Sequence, residues 1–375
     1  MQISKKKFIV CLITAALVGS IITSGVLGIK VNLSGGVDDK YAKMERLYQY
    51  INSTYYEEAD MDVLMEGAYK GFVEALGDPY SSYMTAEEYA NWMTNIEGEY
   101  SGIGVTFTQD QEGKFIVISV EKESPAEIAG MKSGDIITKV NGKTYDNMEL
   151  LANDIKGKEG TNVKISYMRD GAETTVEITR KKIVQHSVSH EMIDSKTGYI
   201  NITSFMDNTY EDFKAALDDV ESKGAQKLIL DLRDNGGGLL TSCINVADEF
   251  LDKGIVVYVE GRDQEKKEYK SKNGKTDLET VVIVNENSAS AAEILAAALK
   301  DNGFKLVGQT TFGKGVIQST VELKDGSALK WTIMQYFSPK GNVINKKGVT
   351  PEFIIENDDK ADKDEQLEKA KELLK

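Results

Sequence analysis

Histidine and cysteine are both scarce in this chain of 375 residues, with two of each. His186 and His190 fall in one short segment and alternate with apolar residues along an expected strand. They read as solvent-facing or core-satisfied side chains rather than as a catalytic base. Cys11 and Cys243 cannot make a disulfide framework, and Cys243 reads as a buried core thiol. With neither a CxxC pair nor a His/Cys cluster, no structural zinc site is expected. Positive charge is in deficit: 45 Lys and Arg face 60 Asp and Glu, for a net charge of −15. Phosphate binding needs basic stripes, so nucleic acid is excluded as a partner. The glycine run Gly236-Gly237-Gly238 lacks the GxxxxGKS/T spacing of a phosphate cradle. No metal and no cofactor is expected.

What the sequence does have is concentrated in residues 281–318, VVIVNENSASAAEILAAALKDNGFKLVGQTTFGKGVIQ. Residues 281–284 are β-branched and apolar, as in a buried strand. A polar corner, 285–288, leads to Ser290 at the mouth of an Ala- and Leu-rich helix over about 291–300. A serine there has free backbone N–H groups beside it and the positive end of the helix dipole, which suits an oxyanion. Its hydroxyl needs a base before it becomes a nucleophile. The lysine between two glycines, Gly313-Lys314-Gly315, can fill that role if burial lowers its pKa from about 10.4 to roughly 7–8. Such a shift costs on the order of 4 kcal/mol, so the site must be dry and free of carboxylate partners. Gln318, four residues on in an expected strand, can hold a neutral amine without favouring its charged form. Taken singly, a serine before a helix is an N-cap and a Gly-Lys-Gly is a turn. It is their joint order that points to a nucleophile, a base and an orienting residue.

SASAAE followed by TFGKGVIQ resembles the C-terminal processing peptidases, the serine proteases of peptidase family S41 with a Ser–Lys dyad. The resemblance implies Ser290, the second serine of the run, as nucleophile, Lys314 as base and Gln318 as its orienting partner. Ala292 stands where the family commonly has serine and Ile317 where it commonly has valine, and neither position is catalytic. The run DLRDNGGG, residues 231–238, matches the family's DLRxNxGG. It implies an oxyanion hole made by the N–H groups of Gly237 and Ala291. Asp231 and Arg233 read as structural ion-pair partners.

The rest of the chain orders itself around that stretch. Lys5, Lys6 and Lys7 precede an uncharged, largely apolar run, residues 8–29. As a helix this run reaches about 30 Å, the thickness of a bilayer's hydrocarbon core. The lysines orient it with the N-terminus inside. It exceeds an h-region of about 7–15 residues, so an uncleaved single-pass anchor is expected, with a secreted form after signal cleavage as the alternative. Residues 1–29 are thus the cytoplasmic stub and anchor, and 30–96 a linker and helical region. There Leu47, Tyr48 and Ile51 recur at helical spacing, Gly77 and Pro79 end a helix, and Thr85 with Glu88 spells a capping box. Residues 97–183 change to short strands with Asn-Gly and Asp-Gly turns and resemble a circularly permuted PDZ domain. Ile103, Gly104 and Val105 are its expected donors to a peptide carboxylate, the peptide adding as a strand. Residues 184–357 form the α/β core, in which 261–275 reads as an exposed loop. Residues 358–375 read as a solvated, partly helical tail.

The expected fold class is α/β, a mixed α+β multidomain chain. It combines a crotonase/ClpP-like ββα core, an inserted PDZ domain, an N-terminal helical region and a transmembrane helix. The expected activity is that of a serine endopeptidase cleaving exported polypeptides whose C-termini engage the PDZ domain, through an acyl-enzyme. Homo-oligomerisation is compatible with this reading. A PDZ scaffold with an inactive protease domain and a crotonase-like acyl-CoA enzyme are the rivals. The intact Ser, Lys and Gln speak against the first, and the PDZ insertion and expected export against the second.

Overall fold

The computed structural model describes residues 37–272, 274–357 and 363–375. The expected membrane anchor at 8–29 lies outside the described residues. Among those described, no helix is long and apolar enough to cross a membrane. The chain divides into two units, Met1–Ala68 and Tyr69–Lys375. The first holds helix α1 (Val37–Thr54), with Leu47, Tyr48 and Ile51 exposed, and the start of α2 (Met61–Glu74).

In the second unit, the remainder of α2 ends before a turn at Asp78. The carboxylate of Asp78 accepts the Tyr80 N–H at 3.1 Å and the Ser81 hydroxyl at 2.5 Å. Strand β1 (Ser82–Met84) and helix α3 (Ala86–Glu97) follow. Thr85 and Glu88 make the expected capping box. Strands β2 (Glu99–Gly102) and β8 (Lys181–Val184) pair as the two legs of an inserted module. That module is an antiparallel sheet in the order β3 (Val105–Gln109), β4 (Phe115–Val120), β5 (Ile136–Val140), β6 (Asn162–Arg169), β7 (Ala172–Thr179). It carries the short α4 (Pro125–Ile128) and α5 (Met148–Ile155) around its own core of Ile103, Val117, Leu151 and Ile165. Strand β3 is at the edge of this sheet.

The remaining chain builds two sheets. One runs β18 (Phe353–Ile354), β15 (Lys305–Gly308), β14 (Glu279–Val284), β11 (Lys227–Asp231), β10 (Thr197–Ile202), β9 (Val188–Met192). It is parallel except for β9. Helices α6 (Thr209–Ser222), α7 (Leu240–Asp248) and α8 (Ala291–Asp301) provide its crossovers. Alternation along its strands feeds two cores. Leu228, Leu230, Val282 and Val284 join α6–α8 in the main one, while Ile229, Val281 and Ile283 point the other way. The other sheet is antiparallel, ordered β1, β17 (Ala328–Phe337), β12 (Ile255–Gly261), β13 (Lys266–Lys270), with β16 (Val316–Glu322) on β17.

Two expectations are corrected. Residues 261–275 are not simply a loop, because β13 lies within them and pairs with β12. Its ladder is backbone, and its mostly exposed Lys and Glu side chains carry no burial pattern. The C-terminal segment is not a solvated tail throughout. Helix α9 (Glu365–Leu373) covers the far face of the parallel sheet, with Ala370 fully buried and Leu374 at 3% exposure. A stripe of Leu367, Ala370 and Leu374 at helical spacing does this beneath a charged outer face.

Candidate active site

Strand β14 ends at Val284, and the chain turns through a polar corner into α8. Ser288, the first serine of the pair, is buried and committed to that corner. Its hydroxyl donates to the Leu232 carbonyl at 2.8 Å and accepts the Asn285 N–H at 3.0 Å. Ser290 differs in kind. It sits at the N-cap position with φ 56° and ψ −116°, and its side chain makes no cap hydrogen bond. The N–H groups of Glu293 and Ile294 go instead to its carbonyl, at 2.9 and 3.0 Å. A positive φ at a residue with a side chain is strained, and the surrounding structure must enforce it.

Glu293 is much of that enforcement. Its fully buried carboxylate accepts the Ser290 N–H at 2.9 Å, the Thr311 hydroxyl at 2.6 Å, the Gly313 N–H at 2.7 Å and the Lys314 N–H at 2.8 Å. Burial pushes its pKa up, while these donors pull it back towards the ionised form. One side chain thus fastens the helix start to the lysine loop. Tyr336, also buried, places its hydroxyl between the carbonyls of Ser290 and Lys314. Neither role is among the sequence-based assignments. For Glu293 the signal was present: Ser290 and Glu293 stand at capping-box spacing.

The glycine run lies against the same corner. Asn235, fully buried, donates to the Ile202 carbonyl at 2.8 Å, and its own carbonyl accepts the Ala289 N–H at 2.8 Å. A Cβ on Gly237 would stand 2.6 Å from Ser290 Cβ and 2.8 Å from the Ala289 carbonyl oxygen, at φ 100°. Only glycine fits there. The N–H of Gly237 itself donates to Asn235 Oδ1 at 2.8 Å. Of the two expected oxyanion donors, Gly237 is therefore engaged by its neighbour in this state. The Ala291 N–H is at the helix start, where intrahelical acceptors are missing. Asp231 and Arg233 pair at 2.6 Å, and Arg233 also reaches Asp364 at 2.7 Å, tying α9 to the loop.

Lys314 enters from the other side. Gly315 allows the lysine loop to press on Asn345, whose backbone nitrogen would lie 2.2 Å from a Cβ. The Lys314 ammonium position is 5.0 Å from the centre of the Tyr80 ring. Burial holds its pKa below 10.5, the positive charge of Lys330 lowers it further, and Glu293 and Asp78 oppose. Glu293 is spent on backbone and hydroxyl donors, so it does not clasp the amine. Gln318 lines the same cavity, but its amide donates to Thr332 Oγ1 at 3.2 Å. Lys314 precedes β16, which begins at Val316, so the strand spacing on which the Lys314–Gln318 pairing was reasoned does not reach it.

Ser290, Ala291, Gly237, Lys314 and Gln318 all line one cavity of about 440 Å³, together with Trp92, Ile96 and Lys330. A larger hollow of about 930 Å³ lies on the inserted module around the Asp135–Arg169 ion pair, away from the Ser290 cavity. Ile103, Gly104 and Val105 line a third hollow of about 270 Å³ between β3 and α5, with Met148, Ala152 and Ile155 opposite. His186 and His190 are exposed and paired with Asp212 and Asp219, at 2.8 and 2.9 Å, outside the Ser290 cavity. Among the described residues no group of three or more His, Cys, Asp or Glu could hold a metal ion.

Fold and site together define a mixed α/β hydrolase with an inserted PDZ domain. Comparison with known proteins narrows this. The model for peptidase family S41 matches residues 196–355, that for the PDZ domain 101–179, and that for the activating protease CtpB N-terminal domain 28–88. The carboxy-terminal processing protease CtpA of Bacillus subtilis (strain 168) is 40% identical over 368 residues, covering 95% of this chain and 78% of that protein. A probable CtpA-like serine protease of Staphylococcus aureus (strain N315) is 38% identical over 366 residues, covering 95% and 73%. Among solved structures, the photosystem II D1 C-terminal processing protease superposes with a TM-score of 0.51 at 29% identity, over 84% of this chain and 86% of that one. The chain belongs to peptidase family S41, the carboxy-terminal processing serine proteases.

Proposed function

We propose that the chain is an endopeptidase whose nucleophile is Ser290 and whose base is Lys314. A substrate lies across the cavity as an extended strand. Neutral Lys314 Nζ takes the proton of Ser290 Oγ as the oxygen attacks the scissile carbonyl. The oxyanion forms against the Ala291 N–H, and against the Gly237 N–H once substrate draws it from Asn235 Oδ1. Each donor contributes about 3 kcal/mol to the transition state. The leaving amine takes the proton from Lys314, and water then hydrolyses the acyl-enzyme with the same lysine as base. Gln318, through Thr332, keeps the wall beside the amine polar and uncharged.

The single observation that carries this reading is the shared cavity: an uncapped, strained Ser290 and a half-buried Lys314 line it, with no carboxylate among the described residues of its lining. Substrate capture by the PDZ domain fits the open edge of β3, where a peptide can add as a strand with its carboxylate at Ile103, Gly104 and Val105. The core is read as a crotonase/ClpP-like ββα fold. Residues 8–29 are read as a single-pass anchor holding the catalytic part outside the cytoplasm. The exposed Leu47, Tyr48 and Ile51 of α1 suit a second copy of the chain. The test is digestion of an unfolded protein by the full chain. Ser290→Ala and Lys314→Ala are each expected to lower the rate by at least ~10³-fold, as loss of a nucleophile or its base does. Equal rates in all three proteins overturn the dyad.

A further inference from the structure

The cavity beside Ser290 has a charge pattern that the dyad alone does not use. Among the described residues its lining includes two lysines, Lys314 and Lys330, and no Asp or Glu, in a chain of net charge −15. Lys314 has a task, and the charge of Lys330 lowers its pKa, but that does not require Lys330 to line the cavity beside Trp92. Lys330 stands on β17 directly across the ladder from Thr320, which lines the same cavity, and its ammonium is 5.8 Å from the centre of the Trp92 ring. Burial lowers its pKa, and no acidic neighbour offsets that. A half-buried cation facing an aromatic ring and a hydroxyl, in a groove that a peptide must fill, is an incomplete ion pair.

We propose that Lys330, with Trp92 and Thr320, forms a carboxylate-binding subsite of the cleft. It selects substrates that bring an anionic group, an acidic side chain or a chain-terminal carboxylate, within a few residues of the scissile bond. The Trp92 ring face steadies the Lys330 ammonium, and the Thr320 hydroxyl can donate to the same carboxylate. This inference rests on cleavage at Ser290.

The experiment measures kcat/KM of the full chain on matched peptides carrying Glu, Gln or Ala at each position flanking the cleaved bond, each with a free or an amidated C-terminus. A carboxylate on the subsite is worth roughly tenfold over its neutral isostere. Wild type is expected to favour one acidic peptide by that factor. Lys330→Met should bring the ratio to about one, and Lys330→Arg should restore it. A preference lost on amidation rather than on Glu-to-Gln replacement identifies the terminal carboxylate as the source. Wild-type protein that cuts the neutral peptides and shows no acidic preference overturns the subsite alone. So does Lys330→Met slowing every peptide alike with the ratio intact, which would mean that Lys330 acts only on Lys314. Wild-type protein that cuts none of the peptides overturns the proteolytic reading beneath it.

Discussion

Glu293 is a buried carboxylate surrounded by donors, and the site's geometry hangs on it. Replacing it with Gln keeps the shape but removes the charge and turns one acceptor into a donor facing N–H groups. Charge-assisted hydrogen bonds contribute about 1.5–3 kcal/mol each, and an unpaired buried polar group costs about as much. Glu293→Gln is expected to lower unfolding stability by about 2–4 kcal/mol, read from urea denaturation, and to reduce activity because Ser290 and Lys314 lose their common anchor. Lys314 gives a pH prediction of definite sign. Its folded pKa is lowered below 10.5 by burial and by Lys330, against Glu293 and Asp78, beneath the Tyr80 ring. If Lys314 is the base, the neutral amine is the active form and the rate should climb with pH through that lowered pKa. Lys330→Met removes a repelling charge, raises the Lys314 pKa and should move the acid limb of the kcat profile to higher pH. A limb that stays in place, or moves down, would contradict the assignment of Lys314 as base.

At the scale of elements, α9 has a larger role than its composition suggests. It closes the far face of the parallel sheet, and through Asp364 it holds Arg233 in the loop that leads to Asn235 and Gly237. Leu374→Asp would place a charge against Ile229 and Val307 or force the helix off. The expected loss is about 2–4 kcal/mol, from lost burial and an unpaired charge. Because the DLRDNGGG loop loosens with it, kcat should fall even where the protein remains folded. Calorimetry and peptide hydrolysis on the same preparation check both.

At the scale of the whole molecule, the inserted PDZ domain and the catalytic core are built around separate hydrophobic cores and joined through the two legs β2 and β8. If the β3 edge captures the substrate terminus, amidating an unfolded substrate's C-terminus should raise KM and leave kcat nearly unchanged, since the lost contact is far from the bond that breaks. An equal fall in kcat would place the terminus at the cleavage site instead.

Much of this was legible in the chain of letters. Ser290 and Lys314 could be singled out from local chemistry, a serine at a helix mouth and a lysine between two glycines, and they line one cavity; Gly237 and Ala291 were named only through the resemblance of DLRDNGGG and SASAAE to the family. The β-branched apolar run that made β14 a strand and the Thr85–Glu88 cap are local too. What the letters did not carry was set by residues far apart in sequence. Whether Gln318 bonds to Lys314 or to Thr332 depends on where β16 begins and on what β17 sets opposite it. Whether the Gly237 N–H is free depends on which way the Asn235 amide turns. Whether Lys330 is a surface charge or a cavity wall depends on α3 bringing Trp92 across from β17. Charge alone made residues 358–375 read as a solvated tail, and only the sheet's far face, formed by strands far apart in sequence, gave the apolar stripe of α9 somewhere to go.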